Sequence, residues 1–101
     1  MNRSDILSLL YEAADSVNRM LPADKQLRKS ADAPFIAPDS PLDSFAQVTF
    51  LVAVETRLSE QTGLDLTLAA DVESRSAEFA SLGALASLID HELQAHGPHD
   101  C

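Results

Sequence analysis

Cysteine is nearly absent: the single one, Cys101, cannot form an internal disulfide, so nothing points to an oxidising compartment. Cations are also scarce. Seven Lys and Arg stand against sixteen Asp and Glu in 101 residues, a formal net charge of −9 that repels phosphate backbones and anionic lipid surfaces. Nucleic acid and membrane insertion are therefore set aside, and partners with basic patches are favoured because complementary fields speed encounter. No apolar run approaches membrane-spanning length, and Met1-Asn2-Arg3-Ser4-Asp5 lacks the basic start and apolar stretch of a signal peptide, so a cytoplasmic location is expected. Neither a glycine-rich phosphate loop nor calcium-loop spacing occurs, nor any repeat, low-complexity tract or strand-like alternation.

What remains is helical. A 46% hydrophobic content suffices for one small core, and we expect a single monomeric domain over residues 1–96 followed by a disordered polar tail, 97–101. Ser4 can cap a first helix over 4–21, with Ile6, Leu9, Leu10, Ala13, Ala14, Val17 and Met20 recurring at three- and four-residue spacings until Pro22. From Pro22 to Leu42 periodicity vanishes among four prolines; this long loop is expected to be pinned by Phe35 and Ile36. Asp43 or Ser44 starts a second helix that Gly63 is placed to end. It is apolar on more than one side, which implies deep burial or a second surface that meets something else. Leu64, Leu66, Leu68 and Val72 suggest a short third helix or turn, with Asp65 and Asp71 as candidate caps. Ser81 can cap a last one bearing Leu82, Leu85, Leu88, Ile89 and Leu93, with Gly97-Pro98 as its stop. The fold class is all-α, a small bundle of three long helices and one short.

Asp-Ser occurs three times, at Asp15-Ser16, Asp39-Ser40 and Asp43-Ser44. The first lies inside a helix and the second runs into Pro41. Only Ser44 opens a helix, where unpaired backbone N–H groups and the positive end of the dipole accommodate a phosphate. Taken alone, the dipeptide is better accounted for by an ordinary helix cap, with Asp43 or Ser44 accepting N–H bonds from the first turn; its surroundings reverse that balance.

The run Leu42-Asp43-Ser44-Phe45-Ala46-Gln47-Val48-Thr49-Phe50-Leu51-Val52-Ala53-Val54-Glu55 resembles the phosphopantetheine-binding acyl carrier protein family, whose mark is Asp-Ser-Leu at the start of the second helix. The amphipathic first helix, the loop anchored at Phe35, Gly63-Leu64-Asp65-Leu66 and Phe79-Ala80-Ser81-Leu82 fall in family order, so the resemblance covers roughly residues 4–93. It implies an acyl-carrier-protein-like four-helix bundle, and a 4′-phosphopantetheine arm from coenzyme A attached to Ser44 with Asp43 as part of the motif. It further implies a non-catalytic role, the arm's thiol holding an acyl or aminoacyl group as a thioester. The implied partners are a phosphopantetheinyl transferase, a loading ligase and downstream acyl-processing enzymes, in fatty-acid or secondary-metabolite biosynthesis.

Departures from that pattern carry information. Ser40-Pro41 stands where many carriers have Leu-Gly, and Pro41 fixes φ in the approach. Leu-Asp-Ser-Phe looks more like stand-alone D-alanyl and aminoacyl carriers than the fatty-acid type. The early exposed positions of the second helix are expected to be Ala46 and Thr49 rather than acids; Asp43 and Glu55 remain close by, with Glu60 further on. Phe45, Val48 and Val52, spaced i, i+3, i+7, form a candidate partner-binding stripe beside Glu55, with core packing as their competing role. Two other functions compete: an unmodified carrier-like interaction module, and an enzyme with Ser44 as nucleophile. The second lacks a base, since His91, His96 and His99 cluster at the far end, and no metal site is expected from them or from Glu92.

Overall fold

The computed structural model describes residues 2–63, 67, 68, 72, 74 and 76–96, apart from the side chains of Ser76 and His96. Three α-helices account for most of it: α1 (Arg3–Asn18), α2 (Ser44–Thr62) and α3 (Leu82–His96). One-turn 3₁₀ segments lie at Ala23–Lys25 and Ser76–Phe79, and the described residues contain no strand, only an isolated antiparallel bridge between Pro34 and Ser81. The all-α expectation holds. The expected short helix around 64–72 and the tail 97–101 lie largely or wholly outside the described residues.

Each helix starts where its side chains can satisfy orphan N–H groups. α1 begins earlier than expected because Asn2, not Ser4, is its cap: Asn2 Oδ1 accepts from the Asp5 N–H at 2.8 Å, and Asp5 Oδ2 accepts in return from the Asn2 N–H at 3.3 Å. It also ends earlier, at Asn18, whose side chain is diverted to the loop. Asn18 Oδ1 accepts from the Leu27 N–H at 2.8 Å and its Nδ2 donates to the Leu27 carbonyl at 2.9 Å, a two-bond clamp that turns the chain back. Met20 consequently falls beyond the helix and is exposed, although its spacing fits the apolar stripe. The α2 boundaries are as expected, Asp43 before it and Gly63 after it at φ 74°, the left-handed conformation glycine adopts without strain. Ser81 caps α3, its hydroxyl accepting from the Ala84 N–H at 3.1 Å.

The core follows the predicted stripes. Ile6, Leu9, Leu10, Ala13, Ala14 and Val17 from α1 meet Leu82, Leu85, Leu88, Ile89 and Leu93 from α3, and Phe50, Leu51, Val54 and Leu58 from α2. α1 and α2 run antiparallel: Arg57 reaches Glu12 at 3.3 Å and the Ser16 hydroxyl at 2.8 Å, whereas Gln61, one turn on, shares a surface cleft with Asp5 and Ser8. At 1.5 Å per residue, Ser44 lies about 20 Å along α2 from Arg57, yet α1 stops soon after Ser16. The first half of α2 thus overhangs α1, and the long loop fills that space with buried Leu27, Ala33, Phe35 and Leu42.

The loop is held by backbone as well as by apolar contact. Phe35 and Ile36 N–H groups donate to the Ala80 and Phe79 carbonyls, both at 2.9 Å, and the Ala33 and Ala31 carbonyls accept from Leu82 and Gly83 at 3.1 and 2.6 Å. Two of the N-terminal N–H groups of α3 are therefore satisfied by the loop. Phe35 is fully buried as expected and Ile36 partly so. The close approach explains a glycine at 83, where an added Cβ would lie 2.8 Å from the Ala31 carbonyl oxygen. Gly83→Ala should lower the unfolding free energy by about 1–3 kcal/mol, measured by urea titration of the far-UV circular dichroism, because backbone is the obstacle and cannot swing aside. An unchanged midpoint would show that the loop is not seated there.

Candidate functional site

The N-terminus of α2 separates the two residues of the Asp43-Ser44 step. Asp43, in extended conformation, is the N-cap: its Oδ1 accepts from the Ala46 N–H at 2.8 Å, and its carbonyl accepts from the Gln47 N–H at 2.9 Å. Ser44 is the first helical residue. Its side chain is exposed and, among the described residues, its hydroxyl has no hydrogen-bond partner. Capping thus accounts for Asp43 and leaves Ser44 unexplained.

The other two Asp-Ser serines are occupied. The Ser16 hydroxyl donates to the Glu12 carbonyl at 3.3 Å and accepts from Arg57 at 2.8 Å, while Asp15 pairs with Lys29 at 3.1 Å. The Ser40 hydroxyl accepts from the Leu42 N–H at 3.2 Å, closing a tight turn into Pro41. Of the three, Ser44 alone presents at a helix start an exposed hydroxyl with no hydrogen bond among the described residues.

The approach to Ser44 is fixed from several sides. Leu42 is buried, and the Gln47 side chain donates to the carbonyls of Phe35 at 3.1 Å and Leu42 at 3.4 Å. This clamp has no signature in the sequence, since a glutamine one turn inside a helix is ordinarily solvated. Earlier in the same loop Asp32 is held below the usual carboxylate range, chiefly by the hydrogen bond from the Ser30 hydroxyl, with its own backbone N–H and Arg28 acting in the same sense.

Beyond Ser44 the exposed side of α2 is apolar. Phe45 is 78% exposed and Val48 and Val52 are each 48% exposed, so none of the three serves the core. Thr49 and Thr56, on the same side, turn their hydroxyls to the Phe45 and Val52 carbonyls at 2.8 and 3.0 Å, which removes two polar groups from that surface. Glu55 is half-buried at the edge. Ala46, expected on this exposed face, is buried instead: it heads the i, i+4 row Ala46, Phe50, Val54, Leu58 that packs inward.

Among the described residues no side chain hydrogen-bonds to Ser44, and His91 is an exposed residue of α3. Among the described residues no three His, Cys, Asp or Glu gather within metal-binding reach; His99 lies outside those residues. No helix among them is long and apolar enough to cross a membrane.

The Ser44 environment fits a phosphodiester. The hydroxyl is exposed, Asp43 engages Ala46, and the Ser44 and Phe45 N–H groups find no partner among the described residues. No protein-family model, no curated protein and no solved structure matches the chain.

Proposed function

We propose that this chain is a carrier protein. It holds an acyl or aminoacyl group as a thioester on a 4′-phosphopantetheine arm attached to Ser44, and presents it to partner enzymes. On this reading the three helices belong to a carrier-type four-helix bundle. The observation that carries the proposal is the division of labour at the start of α2, where Asp43 does the capping and Ser44 stands exposed, its hydroxyl unbonded among the described residues. Attachment replaces the Ser44 O–H bond by an O–P bond, with the adenosine-bisphosphate half of coenzyme A leaving and the proton passing to the transferase. The arm's thiol supplies the acyl chemistry, and the chain itself supplies presentation. Gain of one phosphopantetheine mass on incubation with coenzyme A, magnesium and a broad-specificity transferase tests the assignment.

Partners meet the exposed side of α2. Because Phe45, Val48 and Val52 stand where acids would serve a purely electrostatic contact, recognition rests on apolar burial with Asp43 and Glu55 at the margin. Phe45→Asp should therefore lower kcat/KM for arm attachment by about tenfold or more, while shifting unfolding free energy by no more than about 0.5 kcal/mol, as expected for an exposed side chain. Equal losses of stability and attachment would assign Phe45 to the core. The same apolar stripe favours a second reading, an interaction module that never bears an arm; Ser44→Ala would then leave its cellular function intact.

A further inference from the structure

We propose that Gln47 is a positioning residue for Ser44: its side-chain amide locks the corner on which Ser44 is offered to the modifying enzyme. The inference rests on the carrier reading of Ser44. Gln47 Nε2 has two hydrogens and two acceptors, the carbonyls of Phe35 at 3.1 Å and Leu42 at 3.4 Å. The Leu42 carbonyl belongs to the peptide unit that leads into Asp43, so a bond to it restrains the last joint before Ser44. The Phe35 carbonyl belongs to a residue that is fully buried and whose own N–H is bonded to Ala80 at 2.9 Å. Gln47 therefore ties a movable joint to an immovable point.

The remaining restraints on the corner act locally. Pro41 fixes one φ, the Ser40 hydroxyl accepts from the Leu42 N–H, and Asp43 holds the first turn of α2. None of these reaches back to the buried middle of the loop; Gln47 does, at the Phe35 carbonyl. Gln47 is half-buried and outside the apolar core, and α2 is capped without its side chain, so its loss leaves the bundle standing. What changes is how often the corner has the shape the enzyme binds. When a docking-competent conformer is populated only in part, apparent affinity falls by that fraction, whereas the rate from the bound complex is untouched.

The test uses the full chain, coenzyme A and a broad-specificity phosphopantetheinyl transferase, with arm attachment followed by intact mass. For Gln47→Ala the KM for the protein should rise about fivefold, the range set by losing a modest intramolecular hydrogen bond, with kcat within about twofold. Gln47→Glu, nearly the same shape but with an acceptor facing two carbonyls, should do at least as much. Gln47→Lys, which keeps a donor of similar reach, should remain within about twofold of wild type. Amide hydrogen exchange supplies a readout separate from enzyme kinetics: protection at the Leu42 N–H should fall in the Ala and Glu variants while α1 and α3 amides keep theirs. A wild-type protein that accepts no arm overturns the carrier reading. A wild-type protein that is modified, with KM and Leu42 exchange unchanged in both Gln47→Ala and Gln47→Glu, overturns the role of Gln47 alone. Loss of protection throughout the helices in both variants would also overturn it, by making Gln47 a stability residue.

Discussion

Ser44→Ala should reduce phosphopantetheine incorporation from one group per chain to none, whereas Ser16→Ala and Ser40→Ala should each still accept one. The comparison is informative because all three serines follow aspartate, so the dipeptide is held constant and only its setting varies. Ser16 is engaged by Glu12 and Arg57 in the α1–α2 seam, and its removal should cost about 1 kcal/mol of stability without touching attachment. Ser40 holds the turn before Pro41 through the Leu42 N–H, so its loss should slow attachment without abolishing it. The Ser44 hydroxyl makes no hydrogen bond among the described residues, so alanine there should be neutral for folding within about 0.5 kcal/mol. Full activity loss with no stability loss is the expected signature, read by intact mass alongside a urea melt. Modification persisting in Ser44→Ala would move the attachment point elsewhere.

Phe35→Ala should be the most destabilising single change, by about 3–5 kcal/mol. Its ring is fully buried and meets Phe50 at a centroid separation of 4.9 Å and a tilt of 58°, an arrangement that adds to area burial. In a domain of this size each kcal/mol moves the thermal midpoint by about 4–8 °C, so a fall of roughly 12 °C or more should appear in a circular dichroism melt. Phe35 sits on the loop rather than on a helix, and its main chain bonds both to Ala80 and to Gln47. Emptying its site should therefore loosen the Ser44 approach in whatever fraction of the protein still folds. A midpoint within a few degrees of wild type would mean that the loop middle does not close the core.

The helices were legible because their signals are local. Asp43 and Gly63 bracket α2, and Ser81 opens the stripe of α3, as capping chemistry requires. Errors arose where two local signals competed or where none exists. Ser4 and Asn2 are both acceptable caps, and Asp5 decides between them by closing a reciprocal pair with Asn2. Met20 continues a spacing that the Asn18–Leu27 clamp cuts short. Comparison with carriers puts Ala46 outside, whereas its i, i+4 relation to Phe50 and Val54 puts it inside. The bonds from Ala31, Ala33, Phe35 and Ile36 to the start of α3 are made by backbone atoms that every residue possesses, so no side chain announced them. Gln47 is equally unannounced, a polar side chain whose partners are main-chain carbonyls five and twelve residues back. For the candidate site, residue type and helix position marked Ser44; the exposure of Phe45, Val48 and Val52 required the packed structure.

The seam between the loop and α3 also fixes an order of events during folding. The loop leaves α1 and enters α2, yet its hydrogen bonds go to Phe79, Ala80, Leu82 and Gly83 near the far end of the chain. Contacts so distant in sequence incur a large closure entropy and form late. A ribosome-bound chain that has not yet released α3 can coil α1 and α2 and offer Phe50 to Phe35, but the loop backbone has no Phe79–Gly83 segment to bond. The loop that leads to Ser44, though encoded before the midpoint of the sequence, should complete its backbone bonds only once synthesis has passed α3.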